Sequence, residues 1–184
     1  MNRIYTKRIL PLMLIISVII VLVACSTEKN TFINRVYRYN GYFNAKELVR
    51  QGLENYRENY RENYHEILPI ELLPNEEDVI DFYPIVDTAI SKCKTVISKH
   101  SMPTASKPSQ KKTEHANWVD QNWVMIGKAN FIRRDYQKAF DNFEYIRKFY
   151  TDRPSTYTGQ LWMAKTQIEL GEITEAGRTL QKLE

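Results

Sequence analysis

Trp123-Val124-Met125-Ile126-Gly127-Lys128-Ala129-Asn130-Phe131, followed closely by Asp135-Tyr136-Gln137-Lys138-Ala139-Phe140-Asp141-Asn142-Phe143, is the stretch that decides the fold class. Small residues at Gly127 and Ala139 let two helices cross closely, and Trp123 and Phe143 fill the space beside the crossing. Asp135-Tyr136 marks the turn between them. A second copy follows. Ala164 takes the place of Gly127, Gly171 that of the turn, Ala176 that of Ala139 and Leu180 that of Phe143. The separations 127 to 164, 139 to 176 and 143 to 180 are all 37 residues.

A tryptophan, a small residue four positions on, then Asp-Tyr-x-x-Ala-x-x-x-Phe resembles a tetratricopeptide repeat, whose usual period is about 34 residues. The segment around Asp152-Arg153-Pro154 accommodates the roughly three extra residues. The resemblance implies an all-α fold of antiparallel helical hairpins, stacked as a tetratricopeptide-repeat-like right-handed solenoid over 115–184. It also implies that the first helix of each hairpin lines a concave groove. The candidate partner-binding residues are then Gln121, Val124, Lys128, Phe131, Leu161, Lys165 and Ile168. Lys128 and Lys165 read either as contacts for an acidic partner segment or as solvated stems.

Upstream, residues 101–114 open with SMPTASKPSQKKT and read as a solvated linker with almost nothing to bury. The region 44–100 reads as helical. Asn44 with Glu47 three residues on forms a capping box, so a helix is expected from Asn44 to about residue 68. Its apolar stripe runs Ala45, Leu48, Val49, Leu53, Tyr56, Tyr60, Tyr64 and Ile67, at helical spacing. Tyr56, Tyr60 and Tyr64 recur every four residues, as a packing face or as a stripe for a partner helix. Asn40-Gly41, inside Tyr39-Asn40-Gly41-Tyr42-Phe43, reads as a turn.

Pro69 and Pro74 break the helix, with Ile70 to Leu73 crossing between them as an extended connection. Asn75-Glu76-Glu77-Asp78 looks like a cap with an acidic first turn. Pro84 either kinks the next helix or opens a new one. Ile85, Ala89, Cys93, Val96 and Ile97 form that helix's buried stripe, which makes Cys93 a core residue rather than a nucleophile.

The N-terminus carries its own message. Arg3, Lys7 and Arg8 precede an apolar run of 16 residues, Ile9 to Ala24. A basic head and a short apolar run form a secretory signal, and a bilayer span takes roughly 20 residues. Leu22-Val23-Ala24-Cys25 resembles the bacterial lipobox. It implies a signal peptide over 1–24, cleavage after the small Ala24, and a covalent lipid on Cys25. A single acyl chain anchors only marginally, so stable anchoring takes more than one. Ser26 is not the aspartate associated with inner-membrane retention, and residues 27–30 hold one acid, Glu28. The expected location is therefore the outer membrane, facing the periplasm. Residues 25–43 comprise a lipid-attached tether, either a spacer or a segment lying on a partner, and the aromatic turn.

Composition narrows the function. The whole chain has a net charge of +4, but without Arg3, Lys7 and Arg8 there remain 23 basic and 22 acidic residues. No basic face for nucleic acid follows from that balance. With Cys25 lipidated, Cys93 is the only thiol, so no intramolecular disulfide forms. His65, His100 and His115 lack metal-ligand spacing. There is no phosphate-binding glycine loop and no nucleophile elbow. The expectation is a non-enzyme with no cofactor beyond the lipid and no small-molecule substrate.

One combination is more particular. Cys25-Ser26-Thr27-Glu28-Lys29-Asn30, Tyr39-Asn40-Gly41-Tyr42-Phe43-Asn44, Tyr64-His65-Glu66-Ile67-Leu68-Pro69, the Ala89–His100 segment and the repeats together resemble the N-terminal part of a lipoprotein family. It is the SprE/PorW-type tetratricopeptide-repeat lipoproteins of the Bacteroidota type IX secretion and gliding-motility system. The resemblance covers nearly all of 25–184. It implies an outer-membrane-anchored scaffold whose partners are translocon or periplasmic-ring proteins. Members of that family are several times longer. The array is therefore expected to continue in a longer protein, since repeat stacks need polar terminal caps. The competing expectation is a repeat lipoprotein of another envelope machine, such as the outer-membrane protein assembly complex. A periplasmic enzyme would need a clustered polar site.

Overall fold

Among helices of a small protein, one with apolar residues all round belongs in the middle. The computed structural model describes residues 40–62, 64–65, 69, 71–101, 118–151 and 153–183. Cys25, the apolar run before it and most of the 101–114 linker lie outside the described residues. The described residues are helical, without strands. The elements are α1 over 40–59, α2 (Val79–His100), α3 (Val119–Ile132), α4 (Tyr136–Phe149), α5 (Pro154–Glu169) and α6 (Ile173–Gln181). Helix α3 packs against α2, α4 and α5, and little of its surface is left free.

Two apolar clusters meet on α3. Met125, Ile126, Ala129 and Ile132 join Ala45 and Val49 of α1 and Phe82, Val86, Ala89, Ile90 and Cys93 of α2. Val119, Val124 and Phe131 join Ala139, Phe143 and Ile146 of α4, Tyr150, and Met163 of α5. Trp123, Leu73 and Ile97 border both.

Helix α1 does not have the expected bounds. It already includes Asn40 and Gly41, so that pair is helical rather than a separate bend and Asn44 lies inside the helix rather than capping it, and it stops at residue 59 rather than 68. Packing explains both ends. Gly41 lies directly against Val96 Cγ2, where a β-carbon would overlap, and Tyr42 stacks on Trp118 with centroids 5.7 Å apart. Those contacts outweigh the local turn preference of Asn-Gly. At the other end Tyr64 is 78 % exposed, so no core holds the helix together that far.

Helix α2 begins where Asn75 Oδ1 accepts hydrogen bonds from the amides of Glu77 (2.9 Å) and Asp78 (2.8 Å). Its buried residues are Val79, Phe82, Val86, Ala89, Ile90, Cys93 and Val96, while Ile85 and Ile97 sit half-buried at the margin. Pro84 neither starts nor ends this helix. Its missing N–H removes the helical donor to the Ile80 carbonyl, and both residues are exposed to solvent, where that loss costs least.

The hairpins α3–α4 and α5–α6 repeat one backbone design. Arg134 and Gly171, 37 positions apart, both have left-handed φ, at 64° and 81°. The amide of Arg134 donates to the Phe131 carbonyl (2.9 Å) and that of Asp135 to the Asn130 carbonyl (2.9 Å). In the second hairpin Gly171 donates to Ile168 (3.0 Å) and Glu172 to Gln167 (2.8 Å). Each pair is a Schellman closure of the helix end. The buried Thr179 hydroxyl also donates to Gln167 Oε1 (2.8 Å), tying α6 to α5.

The two turn residues bear the left-handed conformation at different expense. For arginine it costs about 1–2 kcal/mol, against about 0.4–1 kcal/mol of unfolded-state entropy that glycine adds. Arg134 offers little in return: a 3.5 Å exposed pair with Glu76 and a place beside the Tyr136 ring. Arg134→Gly is therefore expected to raise stability by roughly 0.5–1 kcal/mol, and Gly171→Ala to lower it by about 1 kcal/mol. Urea midpoints at unchanged slope measure both. Equal signs for the two substitutions would refute the common turn design.

Candidate functional site: a groove between α1, α3 and α5

The first helices of the two hairpins, α3 and α5, lie against each other, and α1 faces them across a cavity of about 370 Å³. Gln121, Val124, Met125 and Lys128 line it from α3, Thr158 and Trp162 from α5, and Lys46, Val49, Arg50 and Leu53 from α1. Glu71, in the connection before α2, also lines it.

Trp162 organises the site. Its ring meets Phe131 edge-on, with centroids 5.4 Å apart, and tilts over Phe143 at 6.5 Å, which anchors the groove wall in the second apolar cluster. Two ammonium groups lie over the indole: Lys128 Nζ at 4.9 Å and Lys165 Nζ at 4.4 Å from its centroid. Such contacts contribute about 0.5–2 kcal/mol, more as water is removed. Lys165 also pairs with Glu71 Oε2 at 2.6 Å. The pKa of Lys128 is lowered, first by burial and then by the positive charges of Lys46 and Lys165, with Glu71 opposing.

The structure gathers some of the candidate partner-binding residues and disperses others. Gln121, Val124 and Lys128 line the cavity, with Lys165 beside it. Phe131 is only 5 % exposed and acts as a buried prop for Trp162. Leu161 and Ile168 are 45 % and 51 % exposed and do not line the cavity. For Ile168 the reason is register. Shifting Gln121, Met125 and Lys128 by 37 residues gives Thr158, Trp162 and Lys165, which face the groove. The same shift carries the buried Phe131 to Ile168, whereas Leu161 holds the register of Val124, which lines the cavity, so register does not explain its place.

No protein-family model matches the chain, and no curated protein matches it. The site is therefore read from its own geometry. Glu71, Lys46 and Trp162 are among the groove residues that sequence reasoning missed. Trp162 carried a signal, since it stands 37 residues after Met125 in the same helical register. Lys46 and Glu71 carried none, because their places depend on how α1 and the 71–75 connection fold over α3.

Other candidate residues resolve as framework. The Tyr56 hydroxyl donates to Asp78 Oδ2 (2.8 Å), and its ring meets Phe82 edge-on at 5.6 Å. Burial, with Asp78 adding, pushes the Tyr56 pKa up to about 12. Tyr60 leans on Tyr56 at 5.9 Å, and Tyr64 lies beyond the helix, so the three tyrosines do not share one face. Cys93 is fully buried, and burial pushes its thiol up to about 12, so it packs as a small apolar residue. Among the described residues no three His, Cys, Asp or Glu side chains stand close enough to hold a metal ion, and no helix is long and apolar enough to cross a membrane.

Proposed function

We propose that this chain is a lipid-anchored scaffold rather than an enzyme, a tetratricopeptide-repeat-like solenoid that binds proteins in the groove between its first helices. The observation that carries the reading is the register match of the two hairpins. Turn conformation and closing hydrogen bonds repeat at 37 residues, as do the groove-lining pairs Gln121 with Thr158 and Met125 with Trp162. Repetition of that kind extends one binding surface over successive units.

The lipobox at Leu22 to Cys25 supports an outer-membrane anchor facing the periplasm. The Tyr39–Asn44 and Tyr64–Pro69 segments support a place in the type IX secretion and gliding-motility machinery. Its partners there are translocon or periplasmic-ring proteins, with no nucleic acid and no small-molecule substrate.

Affinity purification of the native protein from its own membranes tests the assignment. Co-purification of secretion-ring or translocon components is the expected result. Recovery of outer-membrane assembly subunits alone overturns it. Metabolic labelling with a fatty-acid probe is expected to mark the native protein and not the Cys25→Ser variant. Absence of label from the native protein, or equal labelling of the variant, would overturn the anchor.

A further inference from the structure

Charges lining the groove do not balance. Arg50 is held by Glu47 and Glu54 of its own helix, and Glu71 is held by Lys165. That leaves Lys46 and Lys128. Neither forms an ion pair with a carboxylate among the described residues, and Lys128 is half-buried with its ammonium over the Trp162 ring. This is not a general basicity showing through, since residues 25–184 hold 23 basic and 22 acidic side chains. A partly desolvated ammonium beside Lys46, with Glu71 already engaged by Lys165, is a local deficit that an incoming anion corrects.

The rest of the cavity says what carries the anion. Beside the lysines, Val49, Leu53, Val124 and Met125 form an apolar wall. The volume of about 370 Å³ is within the usual range of ligand sites, about 300–1,000 Å³. A free inorganic anion would use the lysines and leave that wall bare. An extended chain that alternates an acid with a large apolar side chain uses both.

We propose that the groove takes an acidic peptide segment of a partner protein, with one carboxylate held by Lys46 and Lys128 and the neighbouring apolar side chain against Val49, Leu53 and Met125. The proposal rests on the scaffold reading and names the partner's chemistry. Lys128 is the main electrostatic contact, Lys46 the rim contact, and Trp162 the surface that keeps Lys128 in place. Removing one partner of a charge-assisted contact usually lowers affinity about tenfold or more.

Fluorescence anisotropy with the full chain and a labelled peptide alternating glutamate and leucine tests this. The matched peptide of glutamine and leucine is the control. The glutamate peptide is expected to bind at least about tenfold more tightly, with an advantage that shrinks as salt rises. Lys128→Gln and Lys46→Gln each remove most of that advantage, while Lys128→Arg keeps it. Lys46 is exposed, so its variant folds normally and keeps the test valid if Lys128→Gln does not.

Equal binding of the two peptides overturns the proposal. So does full retention in both glutamine variants, or displacement of the peptide by millimolar inorganic phosphate or by vesicles of anionic lipid. The two readings fail separately. Peptide binding without recovery of secretion components overturns the machine assignment alone, and recovery of those components with unaltered yield from Lys46→Gln and Lys128→Gln overturns the groove proposal alone.

Discussion

Phe143→Ala is expected to lower the free energy of unfolding by about 3–5 kcal/mol, a large part of the 5–15 kcal/mol typical of a whole domain. Phe143 has no exposed surface, and its ring is held by neighbours from three helices. Gly127 of α3 lies against it, Trp162 of α5 tilts over it, and Ala139 and Ile146 of α4 flank it. The void left by truncation sits where α3, α4 and α5 meet, and none of them can close it without leaving another partner. Urea unfolding followed by tryptophan fluorescence reads the loss, because Trp162 borders the cavity. A change below about 2 kcal/mol would mean that the site collapses freely, contrary to the packing described.

Gly127→Ala sets two effects against each other. Alanine is the better helix former by about 1 kcal/mol, so an isolated helix would gain. In the protein, a β-carbon at 127 would sit 2.6 Å from Phe143 Cζ and closer still to Cε1. The ring is locked by Trp162 and Ile146, so the overlap must be relieved by moving α3 from α4. Overpacking of this kind costs about 1–3 kcal/mol, and the net expectation is a loss of up to about 2 kcal/mol. The cause is testable by a double-mutant cycle. Phe143→Leu removes the colliding ring edge, so the pair should be less destabilised than the sum of the singles by at least about 0.5 kcal/mol. Additive effects would place the damage elsewhere.

The hairpins were legible in the sequence because their constraints are local and repeated. Gly127, Ala139, Ala164 and Ala176 are small where helices touch, and the structure buries all four. Periodicity also placed the α2 core at Ala89, Cys93 and Val96. The N-terminal boundaries were less legible. Asn40-Gly41 has the chemistry of a turn, and only the proximity of Val96 and Trp118, more than 50 residues away, turns it into helix. Pro84 was equally ambiguous, since the side of the helix that faces water decides whether an unpaired carbonyl matters.

For the groove, the α3 residues were readable and the α5 residues only partly so. Leu161 and Ile168 have the spacing of a helix face, but spacing does not say which face meets α1. Applying the 37-residue shift to Gln121 and Lys128 points instead to Thr158 and Lys165, with Trp162 between them. Glu71 and Lys46 arrive from segments with no repeat to compare them with. Cys25 stands apart, because its reading depends on export chemistry rather than on packing.

Helix α3 has a further consequence for recognition. It supplies Gln121 and Lys128 to the groove while its other faces are committed to two apolar clusters. A helix with no free face cannot turn or slide to suit a visitor. Whatever docks there meets a wall already in its final shape, so the ordering entropy of association falls almost wholly on the incoming chain. For the proposed peptide, discrimination among partners then depends on how readily each one adopts an extended form, and a partner stiffened in advance gains affinity without a single new contact.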